Sequence, residues 1–320
     1  MSPEFGTIVA AIVIFVGFAI AAPVMTTRGG IGNFLDPAAT LGIMGVAVAL
    51  LMIGGEFDLS TGVMIGSTAL VTALVTTQLN TNVWFGMLAS LLFAWLIGLF
   101  NGYLVHRTKL PSFIITLSTY FMLWGLNYAV TTKLTHQVTV TGISEYNGYA
   151  SAKALFGSSF GGFQVSLLWW IGLTVIGVLL LRKTTIGNWI FAVGGNASGA
   201  LAVGVPVPRV KIGLFMGTAT AAWLVGQLTV IRYGSATVTT GIGQEFDFII
   251  IAVIGGCMLT GGAGSVLGAS IGALIYGMVQ QGMPLAGLPS EFFKFFLGAI
   301  LLLAVLINLY FKSRAQGGRS

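Results

Sequence analysis

Charged residues are scarce in this chain. Asp, Glu, Lys and Arg make up 7% of its 320 residues, whereas a soluble domain carries about 25%. So few charges cannot cover the surface of a soluble protein of this length, and apolar residues reach 56%. The composition therefore excludes a soluble globular protein and predicts one that crosses a membrane several times.

Residue types that build metal sites and nucleophilic catalytic centres are also rare. The single cysteine, Cys257, excludes an intrachain disulfide and a cysteine-based metal site. The two histidines, His106 and His136, are far apart in sequence and lack metal-ligand spacing. The sequence contains no HExxH motif and no pattern typical of a Ser-His-Asp triad. We therefore expect no enzyme activity, no metal and no cofactor.

Two glycine-containing runs do not match nucleotide-binding loops. The first, Gly262-x-Gly264-x-x-x-Gly268, has one residue too many for a dinucleotide fingerprint and lacks a strand–helix–strand context. The second, Gly177 to Thr184, lacks the second glycine of an ATP-binding loop. The net charge of +6 comes from short loops and the tail, which favours contact with anionic lipid headgroups over nucleic acid.

Long apolar runs indicate the architecture. A helix needs about 20 apolar residues to cross about 30 Å of hydrocarbon, and backbone hydrogen bonding in lipid favours helices. The sequence predicts an all-α polytopic membrane protein, a single domain over residues 1–320, with about ten transmembrane helices, some of them broken at glycine-rich points. The predicted spans are residues 7–25, 38–54, 60–78, 83–105, 112–131, 165–181, 207–231, 245–260, 264–283 and 291–311.

The distribution of Lys and Arg predicts the orientation. With both termini in the cytoplasm, the inner side holds Arg and Lys at 107, 109, 182, 183, 209, 211, 312, 314 and 319, and the outer side only at 28, 133, 153, 232 and 294. This bias agrees with the positive-inside rule. Residues 132–164 then form an external loop, interpreted as a gate or docking lip, or as a simple tether.

Residues 184–206 form a moderately amphipathic segment between two basic pairs, Arg182/Lys183 and Arg209/Lys211. The positive-inside rule places it on the cytoplasmic side. Gly194-Gly195-Asn196 is expected to break and restart a helix, because glycine adopts unusual backbone angles and asparagine caps helices. The segment is interpreted either as a contact for a cytosolic partner or as an ordered connector.

Two pairs of carboxylates interrupt the apolar runs, Glu56 with Asp58 and Glu245 with Asp247. An acid at the centre of a span costs about 2.5–3.5 kcal/mol on insertion scales. In one interpretation Asp58 or Ser60 caps a helix that begins near Thr61, and the second pair complements a helix dipole. In the other, the acids line a polar pathway at discontinuous helices.

Uncharged polar side chains at predicted membrane depth are candidates for the same pathway. Amides suit hydrogen bonds to a neutral polar solute, although contacts between helices are their commoner use. Small residues four apart predict close helix packing at Gly98/Gly102, Gly213/Gly217 and Gly268/Gly272. The candidate pathway residues are Asn101, Trp124, Asn127 and Gln227, with Gln244, Gln280 and Gln281 near helix ends.

Three segments together resemble the permease subunits of bacterial sugar-uptake ABC transporters of the ribose/xylose/galactose type. Gly54-Gly55-Glu-Phe-Asp-Leu-Ser-x-Gly62 is similar to their GG(I)DLS-x-G signature, with Phe57 as an extra residue. Residues 187–211, including Ala-Val-Gly-Gly-Asn, resemble their cytoplasmic coupling segment. Residues 245–268, ending in Gly-Gly-x-Gly-Ser-Val-Leu-Gly, resemble their last signature.

The resemblance implies an ATP-driven importer in the bacterial inner membrane, with this chain forming the path for a sugar or sugar-like solute. Two cytosolic ATPase subunits, a second permease (an identical copy or a close homologue) and a periplasmic solute-binding protein would be its partners. Similar permeases move nucleosides or a sugar-like signalling molecule, so the resemblance leaves these solutes as alternatives. The coupling segment implied for the ATPases contains Gly187, Gly194, Gly195, Asn196, Gly199, Ala200 and Gly204.

Three other classes are compatible with the composition. An ion-coupled secondary transporter would use Glu56, Asp58, Glu245 and Asp247 as its titrating groups. A passive channel would tolerate changes in the coupling segment. A structural membrane subunit would tolerate loss of the amides at 101 and 127.

Overall fold

The computed structural model describes residues 3–317, and these residues form a helical bundle. Three 3₁₀ turns join the helices, at Pro23–Thr26, Ile143–Glu145 and Ser290–Phe292. The helices are α1 (Pro3–Ala21), α2 (Arg28–Ile53), α3 (Thr61–Gln78), α4 (Val83–Thr108), α5 (Ser112–Thr135), α6 (Tyr149–Phe156), α7 (Ser166–Lys183), α8 (Thr185–Gly195), α9 (Ala197–Ala202), α10 (Val207–Tyr233), α11 (Gln244–Ile254), α12 (Val266–Leu285) and α13 (Phe293–Gly317).

Within residues 3–317, eight helices are long and apolar enough to cross a membrane, namely α1 to α5, α7, α10 and α12. The predicted span at 245–260 is wrong as a single crossing helix. Its helix, α11, has 11 residues and is about 16 Å long at 1.5 Å per residue, roughly half the hydrocarbon thickness. Gly255 and Gly256 end it early. The predicted span at 291–311 corresponds to α13, which has 25 residues.

The two ends of the bundle differ. At one end, called the α8 end, α8 and α9 follow the last turn of α7, where Arg182 pairs with Glu4 of α1. At the other, called the α6 end, residues 136–165 fold into α6 and short strands. Strand β1 (Thr139–Val140) pairs antiparallel with β4 (Ala236–Thr237), and β2 (Ser159–Phe160) forms a hairpin with β3 (Phe163–Gln164).

The loop at the α6 end is packed onto the bundle. The hydroxyl of Tyr149 donates to the carbonyl of Ile231, 2.7 Å away, and Phe156 stacks on Trp169 with ring centroids 5.5 Å apart. Nε of Arg28 donates to the carbonyl of Gly161 at 2.7 Å. These contacts join the loop to α2, α7 and α10, so it is an ordered cap and not a free tether.

Glycine spacing predicts close helix packing correctly at two of three places. A Cβ on Gly98 of α4 would lie 2.9 Å from the carbonyl oxygen of Phe215 in α10, and Gly268 and Gly272 of α12 pack against α11 in the same way. Gly213 and Gly217 of α10 have no such neighbour within 4 Å. They line an apolar groove between α2, α7, α8 and α10, so the packing prediction is wrong for that pair.

Candidate functional site

Two helix breaks have the same backbone geometry. Gly54 and Gly255 each have φ −70°, with ψ −2° and −1°, and the following Gly55 and Gly256 have φ +84° and +91°. Only glycine adopts such positive angles without strain. Each break ends a helix in the manner of a Schellman cap. The closing hydrogen bonds run from Glu56 N to Leu51 O at 3.2 Å and from Cys257 N to Ala252 O at 2.9 Å.

The last turn of α8 lies against the first break and the loop that follows the second. Gly262 N, in that loop, donates to Ile53 O at 2.8 Å, so the end of α2 is bonded to the loop between α11 and α12. A Cβ on Gly194 would collide with Ile53 O and lie 2.7 Å from Gly262 N. A Cβ on Gly55 would lie 3.2 Å from Gly194 Cα, and one on Gly262 would lie 2.7 Å from Gly195 Cα. Backbone from all three motif segments therefore meets at one place, called here the glycine junction (Ile53–Gly55, Gly194–Gly195 and Gly261–Gly262).

Asp58 lies beyond the first break, in a buried hydrogen-bond network. Its Oδ1 accepts from the backbone N (2.9 Å) and hydroxyl (2.6 Å) of Ser60, and its Oδ2 accepts from the Thr218 hydroxyl at 2.9 Å. Asn101 donates to the Ser60 hydroxyl and accepts from Thr119. The network ties α3, α4, α5 and α10 together. Asp58 thus closes a turn onto the backbone N–H of Ser60 just before α3, whereas Ser60, the N-cap residue, makes no side-chain capping hydrogen bond within the described residues, so the predicted side-chain cap of this helix is not formed.

A second buried network surrounds Gln227. Its Oε1 accepts from the Thr72 hydroxyl at 2.9 Å, and its Nε2 donates to Ser90 at 3.3 Å. The Trp223 indole donates to the carbonyl of Met87 and to Ser90, both at 3.0 Å. All four side chains that form this network lie in α3, α4 and α10, so Gln227 makes the interhelical contact that is the commoner use of a membrane amide.

Two of the candidate acids form ion pairs. Glu56 pairs with Lys211, which begins α10 and lies 155 positions away in the sequence. Asp247 pairs with Lys294 of α13 at 2.8 Å. No Lys or Arg lies close to Glu56 in the sequence, and the fold brings Lys211, the basic residue after the coupling segment, beside it.

The N-termini of α3 and α11 meet inside the bundle, next to Glu245. A Cβ on Gly62 would collide with Glu245 Oε2 and lie 2.6 Å from Gly241 O. Glu245 is 4% exposed, and its Oε2 accepts from Gly243 N at 3.1 Å. A helix N-terminus carries about half a positive charge, so two of them favour the carboxylate. The backbone at 239–243, before α11, is irregular.

Two further candidates lie on α5. Asn127 is 9% exposed, and its Nδ2 has no hydrogen-bond partner within residues 3–317. Trp124 is 39% exposed and stacks on Phe121, with Tyr120 edge-on at 5.9 Å. The structure does not bring Asn127 and Trp124 into the networks of Asp58 and Gln227.

The coupling segment has the predicted form of two short helices. The Thr184 hydroxyl accepts from Gly187 N at 3.2 Å to begin α8, and Asn196 Oδ1 accepts from Gly199 N at 2.9 Å to begin α9. Ala200 is buried and Gly204 has φ +86° where the segment turns towards α10. Leu201 and Val203 are 60% and 80% exposed.

Several residues of these networks escape sequence analysis. Lys211 is visible only as a basic residue, and Thr218, Ser112 and Thr116 are ordinary residues of helices. The hydroxyls of Ser112 and Thr116 accept from the backbone N–H groups of Phe57 and Leu59, each at 3.0 Å. The available signal is the presence of hydroxyl residues in otherwise apolar runs, and it does not say which hydroxyl faces which neighbour.

Comparison with known proteins decides the family. Residues 30–305 match the family described as branched-chain amino acid transport system / permease component. The chain is 32% identical to the probable ABC transporter permease protein YphD of Escherichia coli K12, over 98% of this chain and 91% of the relative. This chain belongs to that permease family. The permease is therefore a membrane transport subunit of ABC type and not an enzyme.

Other relatives of the permease carry sugar names. The L-arabinose ABC transporter permease protein AraH of Azospirillum brasilense is 31% identical over 97% of this chain and 89% of the relative. The ribose import permease protein RbsC of Escherichia coli K12 is 28% identical over 95% and 93%. No solved structure matches the permease.

Proposed function

We propose that this chain is the permease of an ATP-driven importer for a sugar or sugar-like solute in the bacterial inner membrane. Relatives named for L-arabinose, ribose and xylose, similar over more than nine-tenths of this chain, support the solute class. The observation that carries the mechanism is the glycine junction, where the end of α8 contacts the first helix break and the loop that follows the second. Cytosolic ATPases provide the energy, and a periplasmic binding protein delivers the solute.

The ATPases dock on α8 and α9, at the coupling segment 184–206. The apolar side chains of Leu201 and Val203 are exposed there, and Arg182 and Lys183 precede the segment. The basic residues at the α8 end favour a cytoplasmic location for the coupling segment, and both termini of the chain are proposed to lie on the same side. Closure of the ATPases displaces α8. Because Gly194 touches Ile53 and Gly262 without intervening side chains, the displacement reaches the first break and the loop after the second directly.

The solute path runs along the face that carries the start of α11 and the aromatic side of α5, where a second permease completes it. Gly243 and Gln244 are exposed, and Phe246 is 56% exposed. Non-helical backbone at membrane depth is stable only against protein or water, so segment 239–243 needs such a cover. Of the predicted pathway residues, Trp124 and Asn127 belong to α5, and Glu245 and Asp247 to the start of α11. Asp58, Asn101 and Gln227 hold the helices that frame this face.

The ion-coupled alternative has less support. Glu56 and Asp247 are ion-paired, and Asp58 accepts three hydrogen bonds, so three of its four proposed coupling groups already have partners. A group that binds and releases an ion during transport needs a state in which it is accessible, and these three are at most 7% exposed.

The proposal is tested by purifying the tagged permease from native membranes in mild detergent and identifying its partners by mass spectrometry. We expect a stoichiometric ATPase with the wild type and its loss with Val203→Glu. The matched control, Leu155→Glu, places the same charge on an exposed residue of α6 (52% exposed) at the opposite end and should keep the ATPase. Purification without an ATPase, together with solute uptake driven by an ion gradient alone, would contradict the proposal.

A further inference from the structure

A polar cavity of about 470 Å³ lies inside the single subunit, in the half of the bundle next to the α6 end. Its walls come from α2, α7, α10 and α12, and Thr240 and Gln244 form part of its lining. Volumes of about 300–1,000 Å³ are typical of small-molecule sites. The cavity adjoins the start of α11 through Gln244, and within the described residues its lining includes no residue of α5.

Two buried polar atoms that belong to lining residues have no partner. Ser166 is 4% exposed, and its Oγ makes no hydrogen bond within residues 3–317. The same holds for Oε1 of Gln280 in α12. A buried polar group without a partner costs about 1–3 kcal/mol, so both side chains gain by turning towards a polyhydroxylated molecule that enters the cavity.

An ion pair in the cavity wall adds further hydrogen-bonding groups. Nη1 of Arg232 donates to both carboxylate oxygens of Asp36, each at 2.8 Å. The two side chains are 30% and 27% exposed. Nε and Nη2 of Arg232 keep their donors, and the carboxylate oxygens keep further lone pairs. Because the two charges cancel, the cavity does not select for an ion. Neutral molecules with adjacent hydroxyl groups match this alternation of donors and acceptors.

The cavity also leads towards the meeting point of the two helix N-termini. A smaller cavity of about 130 Å³ shares Gln244 and Gln280 with it and reaches Asp247 at its far side. Glutamines 280 and 281, which the sequence places near a helix end, therefore lie on a polar route from the α6 end towards the start of α11.

We propose that this cavity binds a neutral polyhydroxylated solute of the sugar class within one permease subunit, before the solute reaches the path between subunits. The proposal rests on the proposed function for the solute class, because the cavity itself specifies only a neutral, hydroxyl-rich molecule.

The site can be probed by cysteine labelling. The only native cysteine, Cys257, is 1% exposed, and burial raises the pKa of its thiol to about 12, so it does not compete for a thiol reagent. Gln281→Cys places a reactive thiol in the cavity wall. The full transporter complex is labelled with a cationic thiosulfonate in the presence and absence of a mixture of L-arabinose, D-ribose and D-xylose. With the site mostly occupied, labelling should slow by about tenfold.

Two controls make the result specific. Lys133→Cys, an exposed position on α5 outside the cavity, should label at the same rate with and without the sugars. Adding Gln280→Leu to Gln281→Cys removes the unpartnered carbonyl at similar volume and should abolish the protection. Its matched control, Gln78→Leu at an exposed site on α3, should keep it.

If the three pentoses left the labelling rate of Gln281→Cys unchanged, the inference would be overturned. Protection by L-leucine and not by the pentoses would overturn it too, because a zwitterion would have to open the Asp36–Arg232 pair. ATP-driven sugar uptake measured on the same complex separates the two proposals. Intact uptake without protection of Gln281→Cys would refute only the cavity site. Protection of Gln281→Cys without any ATP-driven uptake would refute the proposed function.

Discussion

Replacing Gly194 by alanine tests the glycine junction most sharply. The added Cβ would collide with Ile53 O and lie 2.7 Å from Gly262 N, where backbone and not a flexible side chain has to move. Overpacking of this kind costs about 1–3 kcal/mol. Loss of the 2.8 Å Gly262–Ile53 hydrogen bond adds about 0.5–1.5 kcal/mol. Since about 1.4 kcal/mol is a factor of ten in an equilibrium, we expect at least about tenfold slower ATP-driven uptake.

The adjacent glycine provides a matched control. Gly195 is in the same last turn of α8, and a Cβ there meets no heavy atom within 4 Å. Gly195→Ala should therefore transport at nearly the wild-type rate. Both variants are reconstituted with the ATPases, and the amount of assembled complex is measured by size-exclusion chromatography before uptake. Equal uptake by the two variants at equal assembly would refute the reasoning.

Three further predictions follow from the packing and the buried networks. Gly98→Ala should lower the free energy of unfolding by about 1–3 kcal/mol through overpacking. Gly213→Ala, in α10 but facing open space, should not lower it. Thermal unfolding in detergent compares the two variants, and equal losses of stability would contradict the packing assignment. Lys211→Met should destabilise the folded chain, and adding Glu56→Gln should recover part of the lost stability. The expected coupling free energy between the two substitutions is about 0.5–3 kcal/mol. Purely additive effects on stability would mean that the ion pair contributes nothing. Asp58→Asn should mainly lower thermal stability, because the amide replaces one acceptor oxygen that faces Ser60 or Thr218 by a donor. An Asp58→Asn variant that folds and assembles normally, yet takes up no solute, would favour the ion-coupled alternative instead.

Composition and the length of the apolar runs predict the class of fold well, because the apolar interior of the bilayer determines the composition and its thickness determines the length of the runs. They mislead at α11. There the apolar run continues past Gly255, but the chain stops being helical, and the extent of the helix depends on close packing against Gly268 of α12. The sequence pattern also predicts the two-helix form of the coupling segment, because Asn196 is a strong local cap.

The candidate site is only partly visible in the sequence. The three glycine motifs can be found, yet nothing in their spacing says that they touch, since Ile53, Gly194 and Gly262 come together only through the packing of α2, α8 and α12. The pairing of Glu56 with Lys211 and of Asp36 with Arg232 is equally remote, at 155 and 196 positions. Asp58 and Gln227 are recognisable as costly buried groups, but their partners are hydroxyls that the apolar background hides.

We propose that ATP hydrolysis on separate subunits drives this permease through α8. Uptake of a labelled pentose is measured in proteoliposomes that contain the permease, its copurifying ATPases and the binding protein. We expect uptake that requires ATP, persists when ionophores remove all ion gradients, and stops with Val203→Glu. Uptake by the permease alone, driven by an ion gradient and unaffected by Val203→Glu, would contradict it.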